Sequence, residues 1–435
     1  MQKMVQNILN ALYPSFISDL IKVAQLIFIN KSYNYDFEQL ALESATKLEE
    51  QMSFYSVSRY GLDQTFDKIA VINRQFDVGN WLIRVVTLVN LARMIILLKV
   101  DDETAIYLGD PLLNSKDKYS LLIVVIVGIT AMYVTHECAV FIERGGGFVG
   151  AATNVTYLLK NGFSYYPFSQ HQKKNFCCFV YLICVFHNSL IFVMYPYIMV
   201  LYNHELCWNQ YNHFSLKTML IAVAWTITLT SIVICLGAQM VYHSALCCII
   251  AGIFHFHIKS LTDSTTLLIK CMDKMQIVEV KCVIRQTLQL FNEIDSSFRK
   301  IRFIVLYFYT GVALQSIWFL HFGIFTGNHS IVLDTLIAGL GITVITDISA
   351  ISLFCAALTN KVESLYPKWH RIYSKRKIPI FMKLQIIEIL NRITLPTNGI
   401  QIGDYGLITK QFVLKFLLEF ASMLMLFKCN FGSLF

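Results

Sequence analysis

What most restricts the fold of this chain is a series of apolar runs, most of about 20 to 27 residues, separated by polar segments. About 20 apolar residues in a helix cross a hydrocarbon core of ~30 Å, and only helices or closed barrels satisfy every backbone group there. The runs at 78–100, 120–141, 176–201, 216–238, 301–325, 331–357 and 412–427 predict an all-α polytopic membrane protein with seven transmembrane helices. The fourth run continues apolar through 242–257. It reads as one long helix projecting from the membrane rather than as a re-entrant piece. Composition agrees: 56% of residues are hydrophobic and 15% charged, against about 25% charged in soluble domains.

The first 30 residues mix apolar and polar side chains without a cleavable leader, so the first span is expected to act as the targeting signal. Of 12 cysteines most fall in or beside spans, and a disulfide framework is not expected. The adjacent pairs Cys177-Cys178 and Cys247-Cys248 point to different sides of a helix and read as packing residues.

Basic residues set the orientation. The segments before the first span, after the second, after the fourth and after the sixth hold 27 Lys and Arg, and the other four hold 3. By the positive-inside rule the basic side is cytoplasmic, which puts the N-terminus inside and the C-terminus outside, in a multi-pass protein of the plasma membrane. The net charge of +8 is thus a topology signal. The basic residues are dispersed, with no nucleic-acid patch. A G-protein-coupled receptor has the reverse orientation, and neither an Asp-Arg-Tyr at the third span nor an Asn-Pro-x-x-Tyr in the seventh is present.

The chain divides into a cytoplasmic region at 1–77, spans one to four with the projecting helix at 78–258, a cytoplasmic helical segment at 259–300, spans five and six at 301–357, a second helical segment at 358–411, and the last span with a short outer tail at 412–435. Segment 259–300 reads as an amphipathic helix pair, with Leu267, Ile269, Met272, Ile277, Val280, Val283, Leu288 and Leu290 between charges. In the second segment Pro379 and Pro396 interrupt helices and Asn398-Gly399 marks a turn.

No catalytic constellation, cofactor motif or metal-ligand set is legible, and the chain is not read as an enzyme. Gly145-Gly146-Gly147 has neither a preceding strand nor a following Lys-Ser/Thr, and neither His136 with Glu137 nor His255 with His257 has a third ligand partner. The sequons at Asn30 and Asn154 fall on the cytoplasmic side, and that at Asn328 hugs the membrane.

Two stretches carry a resemblance. Leu290-Phe291-Asn292-Glu293-Ile294-Asp295-Ser296-Ser297-Phe298 leads into the fifth span, and Gly403-Asp404-Tyr405-Gly406-Leu407-Ile408-Thr409 leads into the seventh. With the inverted topology, they resemble the arthropod gustatory and odorant receptor superfamily. The short second outer loop favours the gustatory branch, with an odorant receptor needing a co-receptor as the alternative. The resemblance implies a ligand-gated, non-selective cation channel of four like or unlike subunits around a pore lined by the seventh helix. A small tastant or odorant would bind within the outer half of each subunit's helical bundle.

On that reading Lys415 and Glu419, four apart on one face of the last span, face water or each other, and a ring of Glu419 concentrates cations. Met423, Leu426 and Phe427 are candidates for a gate that closes by dewetting. Asp347, an isolated carboxylate at mid-span, is a candidate ligand contact with Thr343 and Thr346 unless Arg84 or Arg93 pairs with it. Tyr195, Tyr197, Trp208, Trp225 and Trp318 are candidates to line an outer pocket. The same buried charges fit a secondary transporter, although no internal repeat is visible.

Overall fold

The computed structural model describes residues 37–57, 66–110, 118–144, 168–210, 216–271, 277–326, 331–375, 378–395 and 399–431. The sequons, the triple glycine, Met272, Pro396 and Asn398 lie outside them. Eleven helices are described: α1 (Phe37–Phe54), α2 (Phe66–Leu97), α3 (Asp102–Tyr107), α4 (Lys118–Arg144), α5 (Gln170–Gln210), α6 (Leu216–Cys271), α7 (Ile277–Leu320), α8 (Ile331–Glu363), α9 (Tyr366–Tyr373), α10 (Ile380–Thr394) and α11 (Lys410–Phe431). A π-helical turn, His321–Thr326, ends α7. Six of these helices are long and apolar enough to cross a membrane.

The seventh expected span is α11. It is also long enough, at 22 residues, but it carries Lys410, Lys415, Glu419 and Lys428, which sets its composition apart from the other six.

The membrane helices outrun the apolar runs that reveal them, because hydropathy marks only the lipid-facing length while the backbone hydrogen bonds of a helix continue past it. No proline interrupts α6, which continues for 56 residues. The expected amphipathic pair at 259–300 is therefore the end of α6 and the start of α7, both continuous with spans. Val280 and Leu290 are buried, whereas Leu267 and Ile277 are exposed. In the second segment Pro367 sits in the first turn of α9 and Pro379 caps α10, where a missing N–H leaves no intrahelical bond broken.

Apolar side chains distribute differently along the bundle. At the base, α1 lies against α5, α9 and α10 lie against α6 and α7, and one continuous core includes Leu48, Phe254, Phe291, Phe298, Trp369 and Ile386, each 1% exposed or less. Nearer the opposite end large apolar groups face outward instead, including Trp81, Leu82, Leu88, Leu220 and Ile227. Lipid is as good a solvent for Leu as another Leu, so spans pack without burying all their apolar surface. Small residues set those contacts. A Cβ on Gly323 would stand 2.4 Å from the Ala338 backbone nitrogen, so the turn and α8 approach closely only because Gly occupies that position.

Both motif stretches have structural reasons. Leu290, Phe291, Ile294, Ser297 and Phe298 form the buried face of α7, at the spacing of one helical stripe. The Gly403 stretch is a tight loop in which Ile402 N donates to Gly406 O and Ile408 N to Ile400 O. Gly403 has φ +53° and donates to Arg302 O at 2.8 Å, while Arg302 pairs with Asp404 at 2.8 Å. The left-handed φ favours glycine. Thr409 Oγ1 then accepts from Phe412 N at 3.1 Å at the start of α11.

Candidate functional site

A cavity of about 430 Å³ opens between α5, α6 and α8. From α5, Phe179, Ile183, Phe186, His187 and Leu190 line it, spaced as one face of a helix. Cys248 contributes from α6, and Ile342, Thr343, Thr346, Asp347, Ala350, Ile351 and Phe354 from α8. The volume lies within the range of about 300–1,000 Å³ common to small-molecule sites.

The sequence singled out Thr343, Thr346 and Asp347, and the structure brings all three to this cavity. Thr343 Oγ1 donates to Gly339 O at 2.8 Å and Thr346 Oγ1 to Ile342 O at 2.7 Å, so both hydrogens are engaged and only lone pairs remain. Neither arginine considered as a partner of Asp347 meets it. Arg84 forms a forked pair with Glu137, Nε to Oε1 at 2.6 Å and Nη2 to Oε2 at 2.7 Å, joining α2 to α4. Arg93 donates to Leu108 O at 2.7 Å and Gly109 O at 2.6 Å.

His187, 2% exposed, is the other polar side chain of note. Its Nδ1 lies 2.8 Å from Ile183 O and its Nε2 3.2 Å from Ser244 Oγ. A carbonyl only accepts, which assigns the proton to Nδ1 and leaves Nε2 to accept from the serine hydroxyl. The aromatic wall has its own order: Phe179 stacks on Phe354 at 5.0 Å, and Phe186 sits edge-on to His187 at 5.2 Å.

The tryptophans expected in a pocket are elsewhere. Trp225 lies under the Arg93 guanidinium at 4.6 Å, and a Cβ on Gly109 would meet its ring at 3.1 Å. Arg93 needs acceptors and a π-face at that depth, and Trp225 supplies the face. Trp318 stacks on Phe322 at 5.8 Å and meets Phe427 edge-on at 5.1 Å. Tyr195, Tyr197 and Trp208 lie on α5, and their side chains are outside the described residues. The phenylalanines that do line the cavity carried a faint signal, a helical spacing through His187.

The other expected functional element is α11. Its inner face, Val413, Phe416, Phe420, Leu424 and Phe427, packs on α7 and α8 near Tyr309, Ile317, Leu320 and Ile345. Lys415, Glu419, Met423 and Leu426 are exposed, and Phe427 is half-buried. Among the described residues no ion pair joins Lys415 to Glu419, so of the two expected arrangements they do not face each other. Nor do any three His, Cys, Asp or Glu among the described residues gather to hold a metal ion.

This architecture defines a class, the all-helical polytopic membrane bundle with a long helical base. No protein-family profile and no curated protein matches the chain. Among solved structures it is similar to the insect olfactory receptor OR5 from Machilis hrabei in complex with eugenol, with a TM-score of 0.66 and 12% identity over 92% of this chain and 100% of that one. A second structure of the same receptor gives a TM-score of 0.62 and 11% identity over 88% and 96% of the two chains. At that identity the likeness establishes a shared fold.

Proposed function

We propose that this chain is a chemosensory receptor of the gustatory type, acting as a ligand-gated, non-selective cation channel of four subunits in the plasma membrane. The observation that carries the reading is α11, a membrane-length helix attached to its bundle by one narrow face while Lys415 and Glu419 stand exposed. Charge on the lipid-facing side of a span costs about 2.5–3.5 kcal/mol per residue on insertion scales. Those positions therefore call for water or for other subunits, and a central pore supplies both. On this reading Glu419 attracts cations, Lys415 lies nearer the cytoplasmic mouth, and exposed Met423 and Leu426 form the hydrophobic constriction, while Phe427, expected beside them, packs against Trp318 on the inner face instead.

The distribution of basic residues supports a cytoplasmic N-terminus and base. The likeness in fold to a receptor solved with eugenol supports a small organic ligand, and the cavity at Asp347 is its proposed site. An odorant receptor requiring a co-receptor has the same architecture. Whole-cell recording from cells expressing the chain alone tests the proposal against sugars, bitter compounds and volatile organics. A rapid cation current insensitive to G-protein block is the expected result. Substrate uptake without resolvable unitary currents would replace the channel reading with transport, and a current appearing only with a second subunit would favour the odorant branch.

A further inference from the structure

The cavity between α5, α6 and α8 has a one-sided chemistry. Its polar atoms are almost all acceptors: the Asp347 carboxylate and the oxygens of Thr343 and Thr346, whose hydrogens are already donated to Gly339 O and Ile342 O. The two His187 nitrogens are engaged with Ile183 O and Ser244 Oγ. Among the described residues Asp347 forms no ion pair or hydrogen bond, and Arg84 and Arg93 of α2 are bound to Glu137 and to the carbonyls of Leu108 and Gly109. Around these acceptors stand the rings of Phe179, Phe186 and Phe354, whose faces carry the negative end of the π quadrupole.

A neutral odorant would leave the carboxylate without a partner in an apolar setting, which is costly. A carboxylate ligand would be repelled. A protonated amine satisfies Asp347, donates its remaining hydrogens to the threonine oxygens and lies against aromatic faces. From this complementarity we infer that the cavity binds a protonated amine carrying an apolar body, with Asp347 as its counter-ion. The inference rests on the proposed reading of the chain as a small-molecule receptor, and it names the ligand class.

The rim includes exposed Phe186, Ile342, Thr343 and Thr346, so the site is reachable from the flank of the bundle. The amine is therefore either a free molecule or the headgroup of an aminolipid.

The test is direct binding to the full chain in lipid nanodiscs, which does not depend on current. Phenethylamine and phenethyl alcohol serve as probes of nearly equal shape. In nanodiscs of choline lipids alone the amine should bind about tenfold or more tightly than the alcohol. Asp347→Asn should abolish that preference while alcohol binding persists, which shows the variant folded, and Asp347→Glu should retain it. Adding phosphatidylethanolamine distinguishes the sources: a weaker apparent amine affinity assigns the site to a lipid amine, and no change assigns it to free amines. Equal affinity for the two probes, or a preference unaltered by Asp347→Asn, overturns the inference. Amine binding without any gated current would sustain it while refuting the channel proposal.

Discussion

Replacing Gly323 by alanine puts one methyl group where α8 already stands. The added Cβ would lie 2.4 Å from Ala338 N, 2.7 Å from Asp334 O and 2.8 Å from Ala338 Cα, against about 3.5–4.0 Å for carbon atoms at ease. All three obstacles are backbone atoms, which cannot rotate aside, so the turn after α7 and helix α8 must part. Overpacking costs about 1–3 kcal/mol, and a backbone obstacle places Gly323→Ala near the top, at about 3 kcal/mol.

Gly128 on α4 provides the control, because nothing lies within 4 Å of its added Cβ. There alanine should stabilise by about 0.5–1 kcal/mol through reduced backbone entropy alone. The same chemical change at two glycines should thus differ by about 3–4 kcal/mol and in sign. Titration of the purified chain from mixed micelles into denaturing detergent, followed by tryptophan fluorescence, measures both. Gly323→Ala within about 0.5 kcal/mol of the parent chain, or Gly128→Ala as damaging as Gly323→Ala, would refute close packing as the reason for glycine at 323.

Other outcomes are equally specific. In a double-mutant cycle Arg84→Gln and Glu137→Gln should show coupling of about 2 kcal/mol, since each single change strands a charge in a forked pair that is only partly buried; additive effects would count against the pair. Glu419→Gln should change relative cation permeability in bi-ionic recordings, and unaltered selectivity and conductance would remove Glu419 from the pore. Burial at the base raises the Glu293 carboxyl above its ordinary value, despite the bond from Gln289. The folded chain therefore holds that proton more tightly than the unfolded one, and this residue's contribution to stability falls as pH rises from the ordinary carboxylate range through the raised value. Glu293→Gln should flatten that part of the profile and stabilise the protein at neutral pH, whereas an unchanged profile would contradict the assignment.

How much could be read from the chain follows from which interactions are local. Six of the seven apolar runs become helices long and apolar enough to cross a membrane, and the seventh becomes the more charged 22-residue α11, because solvent in a bilayer acts on every residue of a run alike. The charged Lys415 and Glu419 already set α11 apart. The projection of α6 was legible through 257, whereas its end at Cys271 and the start of α7 at Ile277 were hidden, with no change in backbone geometry where hydropathy changes sign. Asp347, Thr343 and Thr346 were recognisable because a carboxylate and two hydroxyls in an apolar helix stand out against their neighbours.

Phe179, Phe186 and Phe354 did not stand out among 32 phenylalanines beyond a faint helical spacing, since lining a cavity depends on which helix lies opposite. Trp225 misled for the related reason that its partner, Arg93, is 132 positions away in the chain. The Arg84–Glu137 pair likewise spans 53 positions.

Helix α6 has a mechanical implication. Its 56 residues amount to about 84 Å at 1.5 Å per residue, nearly three bilayer cores end to end. With no proline to bend it, a rotation at one end must reappear at the other: pivoting by about 5° carries the far tip through roughly 7 Å on that length. Movement beside Cys248 thus acts through a stiff lever on the base, where α9 packs against the same helix.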